Sequence, residues 1–134
     1  MPKVTQIVVT LQNRPGTLAH LCSMLGKAGV NISAVMAPGV AGAKARQGKV
    51  RLLVDNADKA KDALKNAKIR FGEEEAIAIE LDNRPSALRE VAEKLAQAKI
   101  NIRYAYATAT EGSAKATVVL AVPDVAKALA VLGG

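Results

Sequence analysis

Residues 7–37 and 77–107 of this 134-residue chain are two versions of one sequence. Laid over each other at a constant shift of 70, they agree at eleven of 31 positions without a gap. The shared residues are Ile7/Ile77, Leu11/Leu81, Asn13-Arg14-Pro15/Asn83-Arg84-Pro85, Leu18/Leu88, Leu25/Leu95, Ala28/Ala98, Asn31-Ile32/Asn101-Ile102 and Ala37/Ala107. Apolar positions that differ do so conservatively, as in Val9/Ile79, Leu21/Val91 and Val30/Ile100. Such a duplication constrains the fold more than any other feature of the chain. It demands two small tandem units of about 65–70 residues, not one fold spanning the whole length. The expected domains are 1–74 and 75–134.

Each unit carries the same pattern. Residues 4–11 and 76–81 are nearly continuous apolar runs, suited to strands covered on at least one face. Asn-Arg-Pro comes next, with Asn13 and Asn83 suited to a turn or helix cap and Pro15 and Pro85 to the first helical turn. Leu18, Leu21, Leu25 and Ala28 then form one helical stripe, and Leu88, Val91, Leu95 and Ala98 its counterpart. Gly29 ends the first helix. Strands are expected over about 30–37 and 100–108, then loops with Gly39, Gly42 and Gly48 or Gly112.

A further strand is expected in each unit. Val50, Leu52 and Val54 alternate with Lys49, Arg51 and Leu53, which implies one wetter face. The counterpart Ala116–Val122 is apolar except for Thr117 and implies cover on both faces, with another subunit as one source of that cover. Short helices at Ala57–Ala67 and Val125–Leu132 close the units. The order strand, helix, strand, strand, helix is most of a ferredoxin-like split βαβ unit, so the fold class is α+β. Residues 68–72 supply a fourth strand to the first unit or a hairpin partner to 76–82, before an acidic turn at Glu73-Glu74-Glu75. With Gly133-Gly134 after its last helix, the second unit is expected to lack a fourth strand of its own, which would leave a sheet edge open to pairing with another chain.

Composition excludes several classes. The chain has 19 Lys+Arg against 12 Asp+Glu, a formal charge of +7, with half its residues hydrophobic. No apolar run approaches the ~20 residues of a membrane helix. Met1-Pro2-Lys3-Val4 opens no signal-peptide core, because Gln6, Thr10 and Gln12 interrupt the apolar stretch after it. Cys22 is the only cysteine and His20 the only histidine, so no internal disulfide and no conventional zinc site is expected. A cytoplasmic, metal-free and cofactor-free protein fits. Phe71, Tyr104 and Tyr106 are the only aromatic residues, so the core is built of Ala, Val, Leu and Ile, and association into at least a homodimer would help stabilise it. Residues 44–70 hold nine Lys/Arg against Asp55, Asp58 and Asp62, a local +6 that reads as a solvated face or as attraction to an anionic partner.

No catalytic constellation emerges, and the chain is read as a non-enzyme. His20 falls opposite the apolar stripe and is expected in solvent. Cys22 borders that stripe and reads as a small core residue with no base beside it. Gly39-Val40-Ala41-Gly42-Ala43-Lys44 lacks the Gly-Lys-Ser/Thr ending of a phosphate loop. The chemistry lies in the Asn-Arg-Pro turns. A strand that turns into a helix leaves free N–H groups suited to a carboxylate, and Gly16 lets a ligand approach that backbone. The amides of Asn13 and Asn31 both donate and accept, as an α-amino acid requires; the bland alternative is a helix cap and a turn.

Leu11-Gln12-Asn13-Arg14-Pro15-Gly16-Thr17-Leu18, followed by Ala28-Gly29-Val30-Asn31-Ile32, resembles the signature of the ACT domain family. Asp82-Asn83-Arg84-Pro85-Ser86-Ala87-Leu88 with Ala98-Lys99-Ile100-Asn101-Ile102 resembles it more weakly. The resemblance covers essentially the whole chain and implies tandem βαββαβ units that bind an amino acid and regulate a metabolic enzyme or regulator. It implies a ligand held between adjacent ACT units; if the copies pack with pseudo-twofold symmetry, Asn13 would face Asn101 and Asn83 would face Asn31. The implied contact set is Asn13, Arg14, Pro15, Gly16, Thr17, Leu18, Asn31 and Ile32, with Asn83, Arg84, Ser86, Ala87, Leu88 and Asn101 in the second copy. Leu11 and Leu81 stand where the family's serine sensors carry histidine, so serine is not implied. Ser86 stands where the family has glycine. Two other readings compete: a purely structural subunit, and an RNA-binding ferredoxin-like protein that would stack bases on Tyr104 and Tyr106. The second is disfavoured because Ala34 and Met36 stand at those positions in the first copy.

Overall fold

The apolar runs become strands and the helical stripes become helices. The computed structural model describes residues 3–12, 14–37, 47–109 and 111–133. Its elements are β1 (Lys3–Gln12), α1 (Thr17–Lys27), β2 (Ile32–Met36), β3 (Gln47–Val54) and α2 (Ala57–Asn66), then β4 (Phe71–Asp82), α3 (Ala87–Gln97), β5 (Tyr104–Ala109), β6 (Lys115–Ala121) and α4 (Val125–Val131). This is the ferredoxin-like α+β order, twice. The glycine loop at 39–44 lies outside the described residues. Among the described residues no helix is long and apolar enough to cross a membrane.

The chain forms two bodies: Gln6–Glu74, and Glu75–Gly134 together with Met1–Thr5. In the first, the strands run β2-β3-β1 with antiparallel neighbours, Ile7 opposite Leu52 and Val9 opposite Val50. In the second they run β5-β6-β4, Ile77 opposite Leu120 and Ile79 opposite Val118. Phe71–Glu74 groups with the first body, and the chain's opening strand segment Lys3–Thr5 groups with the second, where Lys3 meets Glu75 at 3.3 Å.

Each body has its own core. Ile7, Val9, Leu21, Leu25, Leu52 and Leu64 are essentially inaccessible in one, and Ile77, Ile79, Leu95 and Leu120 in the other. Burying a side chain of this size contributes about 1.5–3 kcal/mol, so these aliphatics carry the stability that aromatics would otherwise supply. The closing helices start on true caps: Asn56 accepts from the Lys59 N–H at 3.1 Å, and Asp124 from the Lys127 N–H at 3.0 Å.

Several expectations need correction. Leu18 and Leu88 are not core residues, being 39% and 46% exposed. The buried row steps back by fours from Leu25 through Leu21 to half-buried Thr17, and from Leu95 through Val91 to buried Ala87. Each leucine is one residue, about 100°, off that row. Cys22 is exposed for the same reason, one position beyond Leu21. Glu73-Glu74-Glu75 is not a turn but part of β4. Each carboxylate meets a cation: Glu73 pairs with Lys61, Glu74 with Arg51 at 3.2 Å and Glu75 with Lys3. The hydrogen bond that Lys61 donates to Glu73 is the main cause that holds the Lys61 pKa above its ordinary value. β5 starts at Tyr104, later than position 100. Finally, Val118–Val122 are all buried within the single chain, so no second subunit is needed to cover them. Tyr106 and Tyr104 are the cross-strand partners of Val119 and Ala121, and their rings stack with centroids 6.4 Å apart.

Candidate functional site

Both turns connect a strand to a helix without a side-chain cap. The residue before each helix takes the left-handed conformation, Gly16 at φ 87° and Ser86 at φ 72°. The first helical bonds run from the His20 N–H to the Gly16 carbonyl (2.9 Å) and from the Glu90 N–H to the Ser86 carbonyl (3.1 Å). Before them, the Thr17 and Ala87 N–H groups bond back to the Arg14 (3.5 Å) and Arg84 (3.4 Å) carbonyls, and the amides between have no carbonyl four residues back within the helix. A Cβ on Gly16 would meet nothing within 4 Å, so its φ, not crowding, is what calls for glycine there.

The first turn is pinned from within. The Thr17 hydroxyl reaches the Gln12 carbonyl at 2.9 Å and the Arg14 carbonyl at 3.1 Å. Arg14 is exposed, and its guanidinium has no ion pair or side-chain hydrogen bond among the described residues. The turn borders a cavity of about 500 Å³ lined by Thr10, Leu11, Gln12, Arg14, Pro15, Gly16, Thr17 and His20, and by Ala67, Lys68 and Ile69 from the end of α2. Lys68 is itself left-handed, at φ 58°, where α2 stops. Among the described residues no Asp or Glu lines this cavity.

The second turn is occupied by its own side chains. Asn83 donates its amide to the Ser113 carbonyl at 3.0 Å, and its N–H to the Ala114 carbonyl at 2.9 Å. Of the two roles expected of it, turn or helix cap, it takes the turn, because the helix starts four residues later and Ser86 holds the cap position. Arg84 pairs with Glu90 at 3.1 Å and with Asp82 at 3.7 Å. The hydrogen bond to Glu90, and then its charge, raise the Arg84 pKa further. Lys115 donates to Asp82 at 2.6 Å, and this bond is the main cause that holds the Asp82 carboxyl below the usual carboxylate range.

Of the residues expected to contact a ligand, the cavity gathers Arg14, Pro15, Gly16 and Thr17. Asn13 lies outside the described residues. Leu18 is exposed and does not line the cavity. Asn31 is exposed beyond the other end of α1, with its backbone fixed by Asp55 through two bonds of 2.9 and 3.0 Å. Ile32 packs against the first core. In the second copy Asn83, Arg84, Ser86, Leu88 and Asn101 are exposed and Ala87 is buried. Among the described residues no three His, Cys, Asp or Glu side chains come together to hold a metal ion.

Comparison with known proteins decides the family. The family described as an ACT domain pair matches residues 2–132. The chain belongs to that family. Its structure is similar to protein BT0572 from Bacteroides thetaiotaomicron, with 28% identity over 97% of this chain and 86% of that one and a TM-score of 0.87. It shares its fold with the regulatory subunits of aspartate kinase from Thermus thermophilus (16% identity, 98% and 93% coverage, TM-score 0.65) and Thermus flavus (19%, 98% and 91%, 0.65). No curated protein matches it. Seven residues lining the cavity of this ACT domain pair stand outside the set expected from the sequence, among them the basic side chains His20 and Lys68. His20 lies one helical turn after Gly16, a spacing that places both on one face and is legible in the sequence. Lys68 reaches the cavity only through the fold of α2, which no local pattern announces.

Proposed function

We propose that this ACT domain pair is a regulatory, non-catalytic protein of the cytoplasm that binds an amino acid at the first turn. The ligand would bias one conformation of a homodimer and so signal to a metabolic enzyme or regulator. The observation that carries the reading is the cavity beside Gly16. It has the size of a small-molecule site, an uncapped helix start and an arginine without an ion pair among the described residues. Regulation then arises from linkage, since a ligand favours whichever state binds it more tightly.

A thermal-shift screen against the proteinogenic amino acids, read with an extrinsic dye because the chain has no tryptophan, tests this. A ligand at about 100 times its Kd should stabilise by ~2.7 kcal/mol, a shift of several degrees. The shift should vanish in Asn13→Ala and Arg14→Ala. A flat response to every amino acid would overturn the reading in favour of a structural subunit.

A further inference from the structure

The second copy shows what the arginine of this turn holds. Arg84 places its guanidinium against two carboxylates, Glu90 at 3.1 Å and Asp82 at 3.7 Å. At the shift of 70, the corresponding residues of the first copy are His20 and Gln12. Both carboxylates are gone, both replacements line the cavity, and Arg14 is left without an ion pair among the described residues. A second cation is added as well. Lys68, the left-handed residue that ends α2, lines the cavity, whereas the left-handed residue that ends α4 is Gly133, with no side chain to offer. One copy thus carries its own anion, and the other carries an open cavity with Arg14, Lys68 and His20 in its wall.

We propose that the first cavity takes an acidic ligand, a dicarboxylic amino acid whose side-chain carboxylate lies against Arg14 as the Glu90 carboxylate lies against Arg84. This deepens the proposed function and rests on the reading of that cavity as an amino-acid site. A carboxylate is favoured over its amide because a charge-assisted, two-point contact to a guanidinium is about twice as strong as a neutral one. A lysine side chain is disfavoured by like charge.

Calorimetric titration of the full chain with L-aspartate, L-asparagine, L-glutamate, L-glutamine, L-lysine and succinate tests this. One of the two acids should bind about tenfold or more tightly than its amide, and lysine should not bind. His20→Glu should weaken the acid about tenfold or more by giving Arg14 an internal partner, while Glu90→Gln, on the other turn, leaves it unchanged. Far-ultraviolet circular dichroism establishes that both variants are folded. Equal affinity for acid and amide, or preference for lysine, would overturn the acidic ligand and leave the amino-acid reading standing. Succinate binding as well as the acids would support the anionic cavity and overturn the amino-acid reading. No binding by any of the six would overturn the acidic ligand, while the amino-acid reading falls only with a flat response to every amino acid in the thermal-shift screen.

Discussion

The turns Asn13-Arg14-Pro15-Gly16 and Asn83-Arg84-Pro85-Ser86 have nearly the same sequence, and they differ in what their charges do. Both end on a left-handed residue, and both open an uncapped helix. In the second, Asp82, Glu90 and Lys115 form a closed set of ion pairs around Arg84, and Asn83 is tied to the Ser113 carbonyl. In the first, Gln12 and His20 take the places of the two carboxylates, and the turn faces a cavity. A duplicated motif therefore keeps its geometry while its chemistry separates. Two substitutions outside the shared Asn-Arg-Pro, at positions 12 and 20 against 82 and 90, distinguish a turn whose arginine is ion-paired from one whose arginine has no ion pair among the described residues.

The largest expected effect tests whether the two turns rest on equivalent scaffolds. Leu25 and Leu95 are both fully buried beneath their helices, so Leu25→Ala and Leu95→Ala should each cost about 2–5 kcal/mol in urea denaturation. A cost under about 1 kcal/mol at either site would break the equivalence. Exchanging the residues at the left-handed position sharpens the comparison. Gly16→Ser should destabilise by about 1 kcal/mol, through backbone strain alone since space is open there, and Ser86→Gly should recover a similar amount. Equal stability of both variants and the parent would contradict left-handed φ angles at these two positions.

The smallest effect is a pH dependence confined to the second turn. Because the Lys115 hydrogen bond lowers the Asp82 pKa, that carboxyl contributes stability above its ordinary value of 3.8, and the contribution is lost as pH falls through the lowered folded value. Asp82→Asn should therefore flatten the acid limb of stability against pH. Gln12 at the matching position cannot titrate, so Gln12→Asn should leave that limb unchanged.

The duplication makes the element order legible, because a shift of 70 superposes strand on strand and helix on helix. What escapes depends on distant partners. Three consecutive glutamates read as a turn until Lys3, Arg51 and Lys61 are brought beside them by the fold. Leu18 and Leu88 read as core because they sit three residues before Leu21 and Val91, yet the row that faces the sheet steps by four. At the site, the turn residues Arg14, Pro15, Gly16 and Thr17 are legible from the uncapped strand-to-helix junction. His20 reads as solvated in the sequence and is exposed in the structure; the cavity opens on that same side. Ala67, Lys68 and Ile69 carry no local signal, since only the packing of α2 brings them there.

Binding stoichiometry decides whether the first turn is a ligand site and the second is its own ligand. The ligand that stabilises the protein most would be titrated by calorimetry into the parent, Arg14→Gln and Arg84→Gln. One ligand per chain is expected, lost in Arg14→Gln and retained in Arg84→Gln. Two ligands per chain, or a single site that disappears with Arg84, would contradict the division of roles between the turns.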